Sequence, residues 1–208
     1  PPPPVAEMGE PAQVEDQAGP GSWLQAGNEE QGQTARIETE ARISYHAHYD
    51  SLIDLPNRVL FWDRLTHSIK DSRQNGTRFA VLMLDLDRFG ALNMSVGHAN
   101  GDRVIRKVAE LVAQCLRESD TLSRIGGDEF AIIFGDVDRA SELDRLVACI
   151  MSIFERPIGL DDFEAHTSIS AGIALYPDDG DDLDLFVRVR RESRPRLDDV
   201  IVEHSKRA

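Results

Sequence analysis

The chain has 208 residues, of which 41% are hydrophobic and 29% are charged, and its formal net charge is −14. This length and composition suit one domain of about 130–150 residues with flanking segments. The negative charge argues against binding to the phosphate backbone of DNA or RNA, which needs a basic surface. No segment approaches the roughly 18 consecutive apolar residues of a membrane span, and no secretory signal is visible.

The first 40 residues contain six of the ten prolines, eight acidic residues and one basic residue. This composition is typical of a disordered linker, and the segment is either a linker or an appended stretch. The apolar pattern from Gln33 to His48 permits a helix that leads into the domain, but it is too short to indicate a coiled coil. We therefore expect a linker at 1–40, a domain at 41–182 and an atypical tail at 183–208.

Three longer helices are predicted from apolar residues spaced three and four apart. Asn57 is the expected N-cap of the first helix, which runs through Ser72 and stops at Gln74–Gly76. Asp102 is expected to open the second helix, and the third lies near residues 138–155. The apolar positions are Val59, Leu60, Trp62, Leu65 and Ile69 in the first helix, Val104, Ile105, Val108, Leu111, Val112, Cys115 and Leu116 in the second, and Leu143, Leu146, Val147, Ile150 and Ile153 in the third.

The two cysteines, Cys115 and Cys149, are too few for a disulfide framework and lack the spacing of a zinc site. Both fall on apolar helical patterns, so we expect buried, reduced thiols. Reduced thiols in turn favour a cytoplasmic protein.

A continuous apolar run from Phe79 to Leu84 leads into two aspartates, Asp85 and Asp87. Such a run is typical of a strand that is covered on both faces. Ligands of α/β sheets bind beyond the strand ends, where a carboxylate is a good ligand for a hard metal ion. Asp85 lies between two leucines, where a buried charge without a cation would be costly, so we interpret it as a metal ligand. For Asp87 a turn or a helix cap is the alternative.

Two glycines and two acids, Gly126 to Glu129, lie between segments that are predicted to be short strands, 121–125 and 130–134. Glycines in the loop of such a hairpin permit positive φ and let backbone N–H groups approach a phosphate. The adjacent carboxylates can hold a divalent metal ion. The loop therefore indicates nucleotide chemistry, and a solvated acidic turn is the alternative.

Helices and strands alternate along the domain, and further strands are predicted near residues 163–175. This order predicts an α/β sandwich with a mainly antiparallel central sheet.

The motifs together resemble the GGDEF domains, a family of diguanylate cyclases that make cyclic di-GMP from two GTP molecules. The resemblance runs from Tyr49 to Asp182, and the motifs occur in the family's order. In residues 50–58, which are similar to the family's opening motif, Ile53 and Asp54 replace the usual Thr and Gly. The other matching segments are residues 84–89 with Asn93, Gly97-His98, Gly101-Asp102, residues 126–130 and residues 168–174.

The resemblance implies a ferredoxin-like nucleotide-cyclase fold of the α+β class, with a β-hairpin that carries the loop at Gly126–Phe130. It also implies that Asp85, the backbone carbonyl of Leu86 and Asp128 bind Mg²⁺ or Mn²⁺, consistent with a two-metal clamp on phosphoryl oxygens. Asp128 matches the position that assists deprotonation of the attacking 3′-hydroxyl. Glu129 is a second catalytic candidate, for which holding the turn is the alternative.

Asn93 and Asp102 match the family's guanine-binding residues, and an amide with a carboxylate is complementary to the guanine edge. His98 matches a position that contacts the substrate, and Gly126 and Gly127 would lie against its phosphates. The alternative for Asp102 is a helix cap. Each domain would hold one GTP, so the resemblance implies a homodimer for catalysis.

Arg117 and Asp120 match the family's RxxD pattern, to which the product, cyclic di-GMP, binds as an inhibitor. Arginine can stack on a guanine or bind a phosphate in a bidentate manner, and an aspartate can accept from a base. The alternative is that both residues close the turn between a helix and a strand.

Two departures from the family pattern bear on activity. Gly90 stands where many members have Lys, so one charge that would neutralise phosphate is missing. Beyond Asp182 the family's last helix, with its Lys and Arg contacts to the triphosphate, is absent, and Arg188, Arg190 or Arg191 would have to replace these contacts.

Three functions are therefore compatible with the sequence. The first is a diguanylate cyclase. The second is a regulatory module that binds GTP or cyclic di-GMP without turnover, linked to an upstream sensor or a downstream EAL phosphodiesterase domain. The third is a dimerising scaffold with no ligand.

Overall fold

The computed structural model describes residues 45–137 and 140–180. The predicted linker at 1–40 and the predicted tail at 183–208, with its arginines, lie outside the described residues. The helices and strands follow one another in this order: α1 (Arg58–Asn75), β1 (Phe79–Leu86), α2 (Phe89–Val96), α3 (His98–Ala113), β2 (Thr121–Gly126), β3 (Glu129–Phe134), α4 (Ala140–Phe154), β4 (Ile158–Gly159), β5 (Glu164–Ala165) and β6 (Ile169–Tyr176).

Four strands form one sheet in the order β2-β3-β1-β6, and every pair of neighbours in it is antiparallel. The short strands β4 and β5 form a separate antiparallel pair. The predicted α+β fold with a mainly antiparallel central sheet is confirmed, and so is the hairpin β2–β3. The central position of β1 explains its continuous apolar sequence, because a strand with neighbours on both sides and helices on both faces has little contact with water.

Alternate residues of β1 belong to two different cores, as the period of two along a strand requires. Ala80, Leu82 and Leu84 pack into the larger core, which also contains the buried sides of α3 and α4. Phe79, Val81 and Met83 pack into the second core. That core also contains the buried hydrophobic residues of α1, which are Phe61, Leu65 and Ile69.

Both ends of α1 are capped as the sequence predicts. The Asn57 side chain accepts hydrogen bonds from the backbone N–H groups of Val59 at 2.9 Å and Leu60 at 3.2 Å. The helix ends at Gly76, whose φ of 68° lies in the left-handed region that glycine adopts without strain. Val59 is 59% exposed, so its predicted place on the apolar face is wrong; the sequence reasoning missed Phe61, which is fully buried.

The beginning of α3 differs from the prediction. The helix begins at His98, because Gly97, with a φ of 83°, reverses the chain directly ahead of it. Asp102 therefore lies in the second turn of the helix and is not a helix cap, so that alternative is wrong. The sequence reasoning also missed α2, an eight-residue helix in which no residue is fully buried. Such a short helix carries too little apolar periodicity to be recognised.

The prediction of reduced thiols is also wrong, since the structure pairs Cys115 with Cys149 in a disulfide whose Cα atoms are 5.8 Å apart. This Cα separation lies within the range that a disulfide can span. The two residues are 34 positions apart in the sequence, and only the packing of α4 beside the end of α3 brings them together. Within residues 45–137 and 140–180, no helix combines the length and the apolar character needed to cross a membrane.

Candidate functional site

The acidic end of β1 lies beside the turn between β2 and β3. Asp85 is directly opposite Glu129 in the β1–β3 register, and the backbone N–H of Leu86 donates to the carbonyl oxygen of Asp128 at 3.3 Å. Residues directly opposite each other in an antiparallel pair have Cβ atoms about 4.5–5.5 Å apart. The structure therefore brings together the four residues that were predicted as metal ligands or catalytic groups.

The β2–β3 turn depends on its two glycines. Gly126 has a φ of 155° and Gly127 a φ of 54°, both in the region that favours glycine. Among the described residues, nothing lies within 4 Å of a Cβ built on either glycine. Backbone conformation, and not lack of space, therefore requires glycine here, as the sequence predicts.

Arg124 is a residue of this site that the sequence reasoning missed. Its Nε and Nη2 donate to the carbonyl oxygen of Gly127 at 3.0 and 2.7 Å, and its Nη1 donates to Oδ1 of Asp50 at 3.0 Å. The side chains of Arg124 and Asp50 are only 12% and 22% exposed. The available signal was an arginine inside a short predicted strand, because a charged residue is rarely buried unless it is paired.

Asp87 has a structural role. Its carboxylate accepts hydrogen bonds from the hydroxyl groups of Ser168 at 2.5 Å and Ser170 at 2.6 Å, and the Thr167 hydroxyl donates to its backbone carbonyl at 3.1 Å. These contacts tie the end of β1 to the beginning of β6. The alternative given for Asp87, a turn residue, agrees with this geometry, and Asp85 is left as the metal-ligand candidate of this strand end.

Asn93 projects from α2 toward α3 and carries a buried acceptor that is not satisfied. Its amide oxygen, Oδ1, is buried and has no hydrogen-bond partner among the described residues. A Cβ on Gly101 would lie 1.7 Å from this oxygen, so the absence of a side chain at Gly101 makes the room that Asn93 occupies. A buried polar atom without a partner costs about 1–3 kcal/mol. Such an atom therefore favours a ligand that donates a hydrogen bond.

Two further predicted substrate-binding residues, His98 and Asp102, lie near Asn93 on α3. Asp102 follows Gly101 directly and is exposed, and His98 is exposed at the first position of the helix. Asn93, His98 and Asp102 therefore lie on the two helices that meet at the α2–α3 junction, and the first and the last are nine positions apart in the sequence.

The predicted product-binding residues make local contacts. The Asp120 carboxylate accepts from the backbone N–H groups of Arg117 at 2.8 Å and Gly135 at 3.3 Å. The Arg117 guanidinium lies 5.0 Å from the centre of the Phe134 ring and 3.5 Å from Glu142, and its side chain is 49% exposed. These contacts agree with the alternative that Arg117 and Asp120 close a turn, and they leave half of the arginine accessible.

An ion pair fixes the loop between β4 and β5 onto α3. Arg103, next to Asp102, lies 2.7 Å from Asp162 and also stacks on the ring of Phe163. The hydrogen bond from Arg103 lowers the pKa of Asp162 below its ordinary value and raises the pKa of Arg103. The ion pair thus holds the loop against the helix that carries Asp102.

The predicted metal site depends on a backbone carbonyl as well as on side chains. The described residues contain no group of three or more His, Cys, Asp and Glu side chains that could hold a metal ion. The predicted set consists of two carboxylates and one backbone carbonyl, all of them oxygen donors, which are the ligands that Mg²⁺ prefers. The donor set therefore fits a divalent metal ion.

A cavity of about 660 Å³ lies between α2, the end of α4 and the β5–β6 connection. Asp87 and Arg88 line it, but Asp85, Asn93 and Asp128 do not. The cavity is therefore separate from the residues that were predicted to bind nucleotide.

The four-stranded antiparallel sheet, the glycine turn and the acidic strand end beside it define an α+β domain of the nucleotide-cyclase type. A family model described as "Diguanylate cyclase, GGDEF domain" matches residues 47–191. The chain therefore belongs to the GGDEF domain family.

Named relatives agree with this assignment. The chain is 40% identical over 149 residues to the diguanylate cyclase TpbB of Pseudomonas aeruginosa, and the match covers 71% of this chain and 34% of TpbB. It is 41% identical over 135 residues to the bifunctional diguanylate cyclase/cyclic di-GMP phosphodiesterase MucR of the same organism, covering 64% of this chain and 19% of MucR. The chain thus spans about a third or less of the length of these relatives.

Solved structures show the same fold. A structure of TpbB that comprises only the GGDEF domain has a TM-score of 0.64 and 38% identity, with 68% of this chain and 83% of that chain covered. The coiled coil and GGDEF domain of DgcB from Caulobacter crescentus, in complex with c-di-GMP, has a TM-score of 0.69 and 25% identity, with 83% and 92% covered.

Proposed function

We propose that this domain is a diguanylate cyclase, which joins two GTP molecules into cyclic di-GMP and releases pyrophosphate. The observation that carries the proposal is the pairing of β1 with β3, which places Asp85 opposite Glu129 and Leu86 beside Asp128. Two acidic segments that are distant in the sequence meet at one sheet end, next to a turn whose glycines leave its backbone open to phosphate. Family membership and the named cyclases among the relatives support the same conclusion.

The guanine base is bound between α2 and α3. The amide oxygen of Asn93 accepts from the guanine edge and gains the partner that it lacks within the described part of the protein. The exposed carboxylate of Asp102 accepts a second hydrogen bond from the N1 and N2 donors of guanine. His98 is the first residue of α3, one turn of the helix before Asp102, and it contacts the same nucleotide.

Asp85, the carbonyl of Leu86 and Asp128 would hold Mg²⁺ or Mn²⁺, and the ion would neutralise charge on the phosphoryl oxygens. Asp128 accepts the proton of the attacking 3′-hydroxyl, with Glu129 as the second candidate for this role. The 3′-oxygen then bonds to the α-phosphorus of the other nucleotide as the bond to pyrophosphate breaks. The reaction happens twice for each product molecule.

One domain holds one GTP, so two copies of the chain must face each other with their β2–β3 turns. Arg117 is half exposed on the far side of the hairpin, where the product binds and holds the two copies in an unproductive arrangement. Asp120 shapes this site through the backbone groups that it binds.

The test is incubation of the protein with GTP and Mg²⁺, followed by measurement of retained nucleotide and of cyclic di-GMP formed. Asp85→Asn and Asp128→Asn are expected to abolish product formation while the melting temperature stays within a few degrees of the parent. Asp63→Asn, which removes an exposed carboxylate from α1, is the matched control and should retain the parent rate. A parent protein that retains GTP but forms no product would contradict the proposal.

That outcome would support a second function, a GGDEF module that binds GTP or cyclic di-GMP without turnover. Gly90 favours it, because this glycine is exposed and leaves the strand end without the lysine that many members have. A relative named cyclic di-GMP phosphodiesterase NbdA is also 36% identical over 141 residues, so such domains occur in proteins named for the opposite reaction.

A further inference from the structure

One guanidinium joins the active-site turn to the turn that precedes α1. Arg124 donates twice to the carbonyl of Gly127, at 3.0 and 2.7 Å, and once to the carboxylate of Asp50, at 3.0 Å. We call residues 50–56 the opening turn. The backbone of Arg124 is held there as well, since its N–H donates to the carbonyl of Pro56 at 2.9 Å.

The anchor on the opening turn is itself fixed. Oδ1 of Asp50 also accepts from the backbone N–H groups of Leu52 at 3.0 Å and Ile53 at 3.3 Å. The guanidinium is planar, permanently charged and largely buried. The position of the Asp50 carboxylate therefore fixes the orientation of the guanidinium plane. Arg124 therefore presents its remaining N–H groups to the hairpin in one orientation.

The acceptor of those N–H groups belongs to the peptide that joins Gly127 to Asp128. Gly126 and Gly127 have the greatest backbone freedom of any residue type. Within the described ranges, no atom lies within 4 Å of the place where a Cβ would stand on either glycine, so side-chain packing does not restrain the turn at these positions. Two charge-assisted hydrogen bonds to one carbonyl hold the peptide plane and, through it, the position of Asp128.

We propose that Arg124 is a positioning residue, which sets where the Asp128 carboxylate lies by holding the Gly127 carbonyl against the opening turn. The proposal rests on the proposed function for its effect on turnover. Its effect on the turn itself is independent of that function.

The test compares Arg124→Lys and Arg124→Gln with a matched control, Arg106→Gln. Arg106 donates to the carbonyl of Leu52 at 3.3 Å, so the control removes a guanidinium that contacts the same opening turn but does not touch the hairpin. Lysine keeps the charge but cannot donate to two acceptors in the fixed geometry of arginine. Rescue by lysine would therefore point to charge alone, and would overturn the positioning role.

Three quantities that depend on the active site are measured on the full chain. We expect kcat for cyclic di-GMP formation to fall at least about tenfold in both Arg124 variants, which corresponds to about 1.4 kcal/mol. The KM for GTP should stay within about threefold, because Asn93 and Asp102 are untouched. The dissociation constant for Mn²⁺, followed by the EPR signal of the free ion, should rise several-fold. Arg106→Gln should leave all three at the parent values.

A fourth readout separates this inference from the proposed function. The ¹⁵N relaxation of the Asp128 amide should report an ordered turn in the parent and the control, and a mobile turn in both Arg124 variants. A parent protein without turnover would refute the proposed cyclase function. The relaxation measurement alone would then test the positioning role of Arg124. The positioning role is overturned if the Asp128 amide is as ordered in the variants as in the parent. It is also overturned if the parent is an active enzyme and the Arg124 variants keep its kcat. Should an Arg124 variant unfold, Asp50→Asn, which neutralises the carboxylate that anchors the guanidinium, must show the same mobility.

Discussion

Replacement of Gly101 by alanine tests the guanine site without touching a residue that is proposed to contact the nucleotide. The added Cβ would lie 1.7 Å from the amide oxygen of Asn93, whereas ordinary van der Waals contact begins at 3.4 Å. The carboxamide must therefore swing away from its present position. Cγ of Asn93, at 2.9 Å, moves with the carboxamide, and Cζ of Phe89, at 3.3 Å, must also give by a few tenths of an ångström.

The substitution should weaken GTP binding while it leaves the stability of the fold almost unchanged. Alanine in a helix interior is favoured over glycine by roughly 0.5–1 kcal/mol, which offsets the displacement of Asn93 and Phe89, so the melting temperature should stay within a few degrees of the parent. Loss of one buried hydrogen bond to guanine should cost about 1–3 kcal/mol of binding, which is a fall in GTP affinity of roughly 5- to 150-fold.

Calorimetry with a non-hydrolysable GTP analogue measures the affinity, and differential scanning calorimetry measures the melting temperature. Gly159→Ala is the matched control, since within the described ranges nothing lies within 4 Å of a Cβ at that position. In an Asn93→Ala background, Gly101→Ala should cost almost nothing, because the side chain that it displaces is already gone. Parent-like affinity in Gly101→Ala, or an equal loss in the Asn93→Ala background, would refute this account of the site.

Further predictions concern specificity, feedback and pH. GTP should bind at least tenfold more tightly than ATP, about 1.4 kcal/mol, because adenine lacks the N1 proton and carries an amino donor at position six where guanine has a carbonyl acceptor. Equal affinities in calorimetry would contradict the guanine site. Arg117→Ala should relieve inhibition by added cyclic di-GMP without lowering the initial rate, and a variant inhibited as strongly as the parent would leave the residue a purely structural role. The Arg103 hydrogen bond lowers the pKa of Asp162, so the stability that it contributes is complete above the unfolded pKa of about 4 and is lost as the pH falls through the lowered folded pKa. The melting temperatures of the parent and Asp162→Asn should therefore differ at neutral pH and converge only below that lowered pKa. The hydrogen bond from Tyr45 to Asp54 raises the pKa of the tyrosine, so its contribution is complete below the unfolded pKa of about 10 and is lost as the pH rises through the raised folded pKa. The parent and Tyr45→Phe should converge only above that raised pKa, and equal melting temperatures of the two proteins at neutral pH would exclude a stabilising role of this hydrogen bond.

Features that depend on neighbouring residues could be predicted from the sequence. The cap at Asn57, the stop at Gly76 and the apolar run of β1 each follow from interactions within a few residues or from the period of a buried strand. The β2–β3 hairpin and its glycine turn belong to the same class, because the required positive φ is a local property of the chain. The motifs in their order also led to the family to which the chain belongs.

Only the tertiary structure decided which distant residues meet. The packing of α2 against α3 leaves the oxygen of Asn93 buried in the space at Gly101, and no periodicity in the sequence predicts that contact. The pairing of Cys115 with Cys149 and the bridge from Asp50 through Arg124 to Gly127 likewise join segments 34 and 74 residues apart. Local rules determine where helices and strands begin and end, whereas these contacts depend on the register and packing of whole elements, which set the geometry of the site.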